Sequence, residues 1–276
     1  MNRPNVSEFI RSIKKVLQPV VSPSGDRIVY VVTDIDPDTL ESRSYLVIAN
    51  FDGSDTRRIT ALGTSPSSLV WSPDGGSIVY AAALSGYMGF GVFSVPVQGG
   101  EPLKLGRCES TPSDFAFAPD GRSIAFVATH DPNKQESTSR LSPVRVITRV
   151  DYKEDGFGIP NEQHFQIFLL DLETSEIRKL TEGRFDHAAL TWSPDGTTLG
   201  STQRTRIGLT SQVFLIDIGS GKLELIGPED HAVRGWSWSP DGSSILKFRS
   251  PHPAYDGDFY LWNLESHAER RLSRRA

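Results

Sequence analysis

One tetrapeptide recurs five times along this 276-residue chain: Ser22-Pro23-Ser24-Gly25, Ser72-Pro73-Asp74-Gly75, Ala118-Pro119-Asp120-Gly121, Ser193-Pro194-Asp195-Gly196 and Ser239-Pro240-Asp241-Gly242. The intervals are 50, 46, 75 and 46 residues. A repeat of this kind constrains the fold more than any other feature, because each unit must be one supersecondary element stacked on copies of itself. The tetrapeptide reads as a tight turn. Proline presets φ at the first central position, Asp or Ser bonds to nearby backbone, and Gly relieves crowding at the end.

Strand-like runs flank every turn. Before it stand Ser68-Leu69-Val70-Trp71, Phe115-Ala116-Phe117, Leu190-Thr191-Trp192 and Trp236-Ser237-Trp238; after it stand runs such as Ile28-Val29-Tyr30-Val31-Val32 and Ile245-Leu246-Lys247-Phe248. They are β-branched and aromatic, the composition of hairpin strands. Each unit continues with a third strand, such as Gln212-Val213-Phe214-Leu215-Ile216, a polar turn, and a fourth strand, such as Lys222 to Ile226. Four-stranded units at this spacing predict an all-β chain, a β-propeller in which each blade buries its faces against neighbours. Five blades are counted, near 16–60, 67–106, 114–181, 188–227 and 233–273, within a propeller spanning 21–276. The strand before each turn is expected to be innermost. Trp71, Trp192 and Trp238, directly before the turns, are expected to pack between blades and not to form a ligand cage.

Two segments fall outside the repeat. Residues 1–20 read as a short amphipathic helix and lead-in, with Ser7 as cap and Phe9, Ile10, Ile13, Val16 and Leu17 on one face. The 75-residue interval holds an insertion at 130–164. Long loops in compact domains are commonly functional. Within it, Arg145, Arg149, Asp151, Tyr152 and Asp155 mix both charges with an aromatic; they are the candidate substrate-binding residues, read as a polar cluster at one mouth of the propeller, the alternative being a solvated hairpin that covers the blade edge.

Composition narrows the function classes. Hydrophobic residues at 37% and charged residues at 23% suit a globular core, not disorder. The net charge of −5 has no basic stripe, so no nucleic-acid partner is expected. The lone cysteine, Cys108, has no histidine nearby and reads as a packed thiol in a reducing compartment. With no apolar leader or membrane-length run, a cytoplasmic location and no membrane partner are expected. The Asn5-Val6-Ser7 sequon reads as chance.

The turns, the opening helix leading into Val21-Ser22-Pro23-Ser24-Gly25, and the run Val146-Ile147-Thr148-Arg149-Val150-Asp151-Tyr152-Lys153-Glu154-Asp155-Gly156-Phe157-Gly158 carry a resemblance. The chain resembles the N-terminal propeller of the prolyl oligopeptidase (S9) family of serine peptidases, especially its acylaminoacyl-peptidase branch. Periplasmic TolB-type propellers share the repeats. The resemblance implies a noncatalytic propeller beside an α/β-hydrolase domain carrying a Ser, Asp and His triad with its nucleophile in a G-x-S-x-G elbow. This chain has no such elbow. Gly235-Trp236-Ser237-Trp238-Ser239 fails at its last position and lies in a strand-like run. The family propeller has about seven blades, against five counted here. No catalytic residues are therefore assigned.

Other motifs fail by position. Asp34, Asp36 and Asp38 open like a calcium loop, but Thr39 stands where Gly is needed and Tyr45 where Glu is needed. Gly219-Ser220-Gly221-Lys222 lacks the remaining residues of a phosphate loop and reads as a hairpin turn. Asp186-His187 and Asp230-His231 are expected to orient loops by hydrogen bonds rather than hold a metal. No metal or cofactor is expected. The partners implied are a peptide substrate, an α/β-hydrolase domain, or another copy of the chain. Two functions remain: a propeller module of a serine peptidase, or a self-standing TolB-like interaction scaffold.

Overall fold

The computed structural model describes residues 13–84, 89–130, 164–204, 211–227, 232–250 and 257–273. Among them, twenty strands form five antiparallel meanders of four. The first meander is β1 (Lys15–Val21), β2 (Arg27–Ile35), β3 (Ser42–Asn50) and β4 (Arg57–Arg58). The second is β5 (Ser67–Trp71), β6 (Ser77–Ala83), β7 (Phe90–Pro96) and β8 (Leu103–Cys108). The third is β9 (Ser113–Phe117), β10 (Ser123–His130), β11 (His164–Asp171) and β12 (Ile177–Lys179). The fourth is β13 (Asp186–Trp192), β14 (Thr198–Arg204), β15 (Ser211–Asp217) and β16 (Leu223–Ile226). The fifth is β17 (Ala232–Trp238), β18 (Ser244–Ser250), β19 (Asp258–Asn263) and β20 (Glu269–Arg271). The fourth and fifth share one sheet through a single parallel pairing, Ser211 to Ala232.

The chain divides into two compact units. One holds Met1–Ala128, Ile167–Lys179 and Asp195–Thr197, and its core lies between successive sheets. Val29, Val31, Leu46 and Ile48 of the first sheet pack with Trp71, Ile78, Tyr80 and Val95 of the second. The intervening residue Val79, with Val92, turns to the opposite face and packs with Ile124, Phe126 and Leu170 of the third. This alternation follows from the two-residue period of a strand. Each fully buried Ile or Val contributes about 2 kcal/mol. The other unit holds Thr129–Gln166, Leu180–Pro194 and Thr198–Ala276. In it Val213, Leu215 and Ile226 pack with Val233, Ile245, Trp236 and Trp238.

The turns have the expected chemistry. The glycine N–H returns to the carbonyl three residues back, as in Gly75 to Ser72 at 2.9 Å and Gly242 to Ser239 at 2.9 Å. The turn Asp accepts the N–H two residues on: Gly76 at 2.9 Å, Arg122 at 2.9 Å, Thr197 at 3.0 Å and Ser243 at 3.0 Å. The leading serine hydroxyl accepts the N–H five residues on, at 2.9 Å in Ser72 and 3.0 Å in Ser193. The first turn lacks the Asp but recovers the carboxylate two residues later, where Asp26 accepts from Ser22 at 2.9 Å and from Ser24.

Successive turns also touch. A Cβ built on Gly75, Gly121, Gly196 or Gly242 would lie 3.9, 3.9, 3.3 or 3.4 Å from the ring of Pro23, Pro73, Pro119 or Pro194 respectively. Each of these glycines supplies a positive φ, and at Gly196 the missing side chain also leaves room for the preceding proline. Tryptophan adds a second step between sheets: Trp71 Nε1 donates to Val20 O at 3.0 Å, and Trp238 Nε1 to Thr191 O at 3.4 Å. This is the inter-sheet packing role expected of these residues.

Two features depart from the sequence reading. Lys15, Val16 and Leu17, expected at the end of a helix, belong to strand β1, paired to Thr33, Val32 and Val31. Pairing satisfies one side of β2, which otherwise would present open backbone groups. The rest of that expected helix lies outside the described residues. The second feature is a bulge in the first strand of each sheet, with register shifts at Leu17/Val20, Ser67/Val70, Ala188/Thr191 and Val233/Gly235, and between Ala125 and Val127 on the partner of β9. Gln18, Ser68, Asp114 and Ala189 take φ of 51°, 54°, 49° and 55° there. Each stands four residues before the turn's first residue. The bulges connect, since Ser68 N–H donates to Gln18 Oε1 at 2.9 Å.

The turn contact gives a differential test. Gly25 and Gly196 share a left-handed φ, 76° and 73°, but a Cβ on Gly25 meets nothing within 4 Å. Gly25→Ala is expected to cost about 1 kcal/mol and Gly196→Ala at least about 2 kcal/mol, by urea denaturation. Equal costs would show that the proline contact constrains nothing.

Candidate functional site

The candidate cluster Arg145, Arg149, Asp151, Tyr152 and Asp155 lies outside the described residues, as do Asp230 and His231. The strands bracketing the insertion are β10, ending at His130, and β11, starting at His164.

The failed motifs are placed by structure. Asp34 and Asp36 share one cation: Arg43 Nε lies 2.7 Å from Asp34, and its Nη1 reaches Asp36. Backbone N–H groups of Thr39 and Asp38, then Arg43, hold the Asp36 carboxyl below its ordinary range. The segment is a strand connection closed by its own ion pairs. Gly219 to Lys222 is a hairpin turn, with Ser220 N–H on Asp217 at 2.7 Å. Ser237 sits inside β17 opposite Leu246, not at a strand-to-helix elbow. Cys108 is buried, and burial pushes its thiol up to about 12, so it stays protonated. Among the described residues no group of three or more His, Cys, Asp or Glu side chains is placed to hold a metal ion.

A buried polar network occupies the second unit. Asp186 Oδ1 accepts Phe165 N–H at 2.9 Å and lies 3.3 Å from His164 Nδ1. Gln166 donates to Gly183 O and Phe185 O at 3.3 and 3.1 Å and accepts from Thr181 at 2.8 Å. His187 Nδ1 and the Ser201 hydroxyl are 3.0 Å apart, and Phe214 lies against the imidazole at 5.2 Å. The residue types match a hydrolytic triad, but the connectivity does not. A triad histidine uses Nδ1 for the carboxylate and Nε2 for the serine. Here Nδ1 meets the serine, Asp186 holds a different histidine, and Ser201 is 0% exposed. The network ties β11 and β14 to β13, and the hydrogen bonds expected of Asp186 and His187 run to these partners rather than to each other.

A second buried group lies on the fifth sheet. Lys247, 1% exposed, has its Nζ 2.9 Å from Glu269, 3.3 Å from Ile226 O and 4.9 Å above Trp262. Arg249 binds the other Glu269 oxygen at 2.8 Å and stacks on Tyr260 at 3.9 Å. Burial lowers the Lys247 pKa and Glu269 opposes that shift. Sequence reasoning took Lys247 as one residue of a strand; its alternation with Ile245 places it on the buried face.

The open site is in the first unit. Between the second and third sheets, beside their turns, is a cavity of ≈ 390 Å³. Ser72, Asp74, Ser77 and Ser94 line one side and Pro119, Asp120 and Gly121 another, over Val79, Leu105, Phe117 and Leu172. The Ser72 hydroxyl and the Gly76 N–H, both donating to it, hold the Asp74 carboxyl below its ordinary range, so it is ionised.

Known proteins place this architecture. No protein-family model matches the chain. An uncharacterised peptidase of Bacillus subtilis (strain 168), YuxL, is 27% identical over 183 residues, covering 66% of this chain and 21% of that protein. The acylaminoacyl peptidase of Pyrococcus horikoshii superposes with a TM-score of 0.68 at 16% identity, over 92% of this chain and 39% of that one. A putative TolB from Agrobacterium tumefaciens superposes at 0.58 and 16% identity, over 94% of this chain and 80% of that one. The chain is a β-propeller protein. The resemblance of its sequence to the propeller of S9 peptidases is also a resemblance of fold, shared with TolB, and the propeller spans about a fifth of the curated peptidase it matches.

The network predicts an acid sensitivity. Burial lowers the His187 pKa to about 4, against an ordinary value of 6.5. Above pH 6.5 the imidazole is neutral in folded and unfolded chains alike. Between 6.5 and 4 only the unfolded chain takes the proton, so stability falls as pH falls, by about 3 kcal/mol in all. His187→Gln, which keeps a partner for Ser201, is expected to flatten this slope in denaturation curves at pH 7, 5.5 and 4.5. An unchanged slope would remove His187 as its source.

Proposed function

We propose that this chain is a noncatalytic β-propeller module of an S9-type serine peptidase, gating or binding peptide substrate for an α/β-hydrolase domain carried elsewhere. The observation that carries this reading is the sequence match to a peptidase, YuxL, over 66% of the chain. The fold shared with acylaminoacyl peptidase supports it. Ser201 is buried in the core, and Ser237 lies within strand β17 rather than at a strand-to-helix elbow, which supports this reading. In this reading the hydrolase is a partner in the same polypeptide or a separate one, and the protein acts in the cytoplasm.

A second reading, a TolB-like interaction scaffold, is favoured by coverage: the chain aligns to 80% of a TolB and 39% of the peptidase. An antibody against the propeller separates the two in lysates of the source organism. The peptidase reading expects either a band more than twice as heavy as the 30.4 kDa chain or a hydrolase co-eluting with it. A lone 30.4 kDa species without a hydrolase supports the scaffold. The isolated chain is expected to leave acylated amino-acid and short-peptide chromogenic substrates uncut. Hydrolysis that vanishes in Ser237→Ala would overturn the noncatalytic assignment.

A further inference from the structure

The cavity between the second and third sheets has a sequence cause. Ser94 pairs with Val79. The corresponding pairs in three other sheets are Ile48 with Val29, Leu215 with Gly200 and Leu261 with Leu246. Where those sheets carry a large aliphatic residue on the third strand, the second carries a hydroxymethyl group. The missing side-chain volume opens toward the cleft that Ser94 lines.

The lining chemistry then selects a ligand. Asp74 and Asp120 border the cleft from two adjacent turns, and no Lys or Arg lines it. The hydroxyls of Ser77 and Ser94 make no hydrogen bond to a described residue, whereas Ser72 is engaged with Ser77 N–H and Asp74. The remaining lining includes the apolar residues Val79, Leu105, Phe117 and Leu172. Carboxylates and free hydroxyls accept the hydrogens of a cation, and the apolar wall takes its hydrocarbon body. An anion would meet two negative charges. The volume, ≈ 390 Å³, lies near the small end of ligand sites and suits one residue rather than an extended peptide.

We propose that this cleft binds a primary ammonium group carried on a small aliphatic body, namely the free amino terminus of a peptide beginning with an aliphatic residue. The choice of a peptide as source rests on the peptide-handling function above; the ammonium chemistry rests on the cleft alone. The site lies at the turn edge of two sheets, and neither Ser201 nor Ser237 is among its lining residues. It would hold a chain end without reacting with it.

Leucinamide and N-acetyl-leucinamide, titrated into the ¹⁵N-labelled 276-residue protein, test this. Leucinamide is expected to shift the amide signals of Ser77, Ser94 and Gly121 and to saturate at roughly millimolar concentration, as a small ligand with exposed charge partners should. Its acetylated form lacks the charge and is expected to bind at least about fivefold more weakly. Ser94→Leu installs the residue type of the sister sheets, so it should abolish binding while leaving the thermal midpoint no lower. Should that variant misfold, Asp120→Asn keeps the acceptor for Arg122 N–H and must weaken leucinamide but not its acetylated form. Butylammonium separates the sources: equal affinity would leave a general amine site and overturn the peptide assignment. No shift up to the solubility limit, equal binding of both leucine ligands, or full binding by Ser94→Leu would overturn the site itself. These readouts involve neither hydrolysis nor native mass, so failure of the cleft and failure of the peptidase-module reading are distinguishable.

Discussion

From the second turn onward, each turn glycine lies beside the proline of the turn before it, so that successive sheets meet at their turns. The backbone there must enter the left-handed region, which glycine does without strain. At Gly196 a second demand is added, since a Cβ would lie 3.3 Å from the Pro119 ring, closer than ordinary contact. The proline in turn must be rigid, since it is at once the first corner of its own turn and the surface on which the next one rests. Serine and aspartate complete the device through their side chains, the serine accepting the N–H five residues on and the aspartate the N–H two residues on. When the first turn replaces Asp with Ser24, Asp26 supplies the carboxylate from outside the tetrapeptide. The chemistry is kept while the spelling changes.

Beside the turns, two further features recur within the units. Indole N–H groups of Trp71 and Trp238 reach the backbone of the preceding sheet, anchoring a large apolar body with one directed bond. Bulges in the first strands bend them just before the turn. The second unit adds buried polar groups where the first has mostly aliphatic ones. His187, Gln166 and Lys247 are all nearly inaccessible, and each is held by named partners. Such groups gain little net energy but penalise any other packing, because a slipped strand would leave them unpaired.

The repeat was legible because turn chemistry is local. Proline, a small polar residue and glycine in that order say what the backbone does without reference to the rest of the chain. The strands were legible because alternation survives wherever two faces are packed. What was not legible depended on contacts far along the chain. Val16 and Leu17 fit a helical face, and only the open edge of β2 makes them a strand. The left-handed residues Gln18, Ser68, Asp114 and Ala189 share no side-chain property, so no residue type announces the bulges. Their spacing, 50, 46 and 75 residues, is the one trace, and it is visible only once the turns have set the frame. Lys247 read only as one residue of a strand, because its partner, Glu269, is 22 residues away. Ser94 needed an alignment of the third strands against one another, which would have shown a serine among isoleucine and leucine. The insertion cluster stays a proposal of sequence alone.

The proline-to-glycine step also bears on how such a chain can change. A duplicated repeat carries both halves of the contact with it, a ring to offer and a bare α-carbon to receive one. Inserting a whole unit therefore creates two new junctions from parts already selected to fit, whereas inserting half a unit strands a ring against a side chain. Chains of this kind should vary in evolution by integral repeats. Extra sequence is tolerated where the 130–164 segment lies, at the strand ends beyond the turns, and not among the turns themselves.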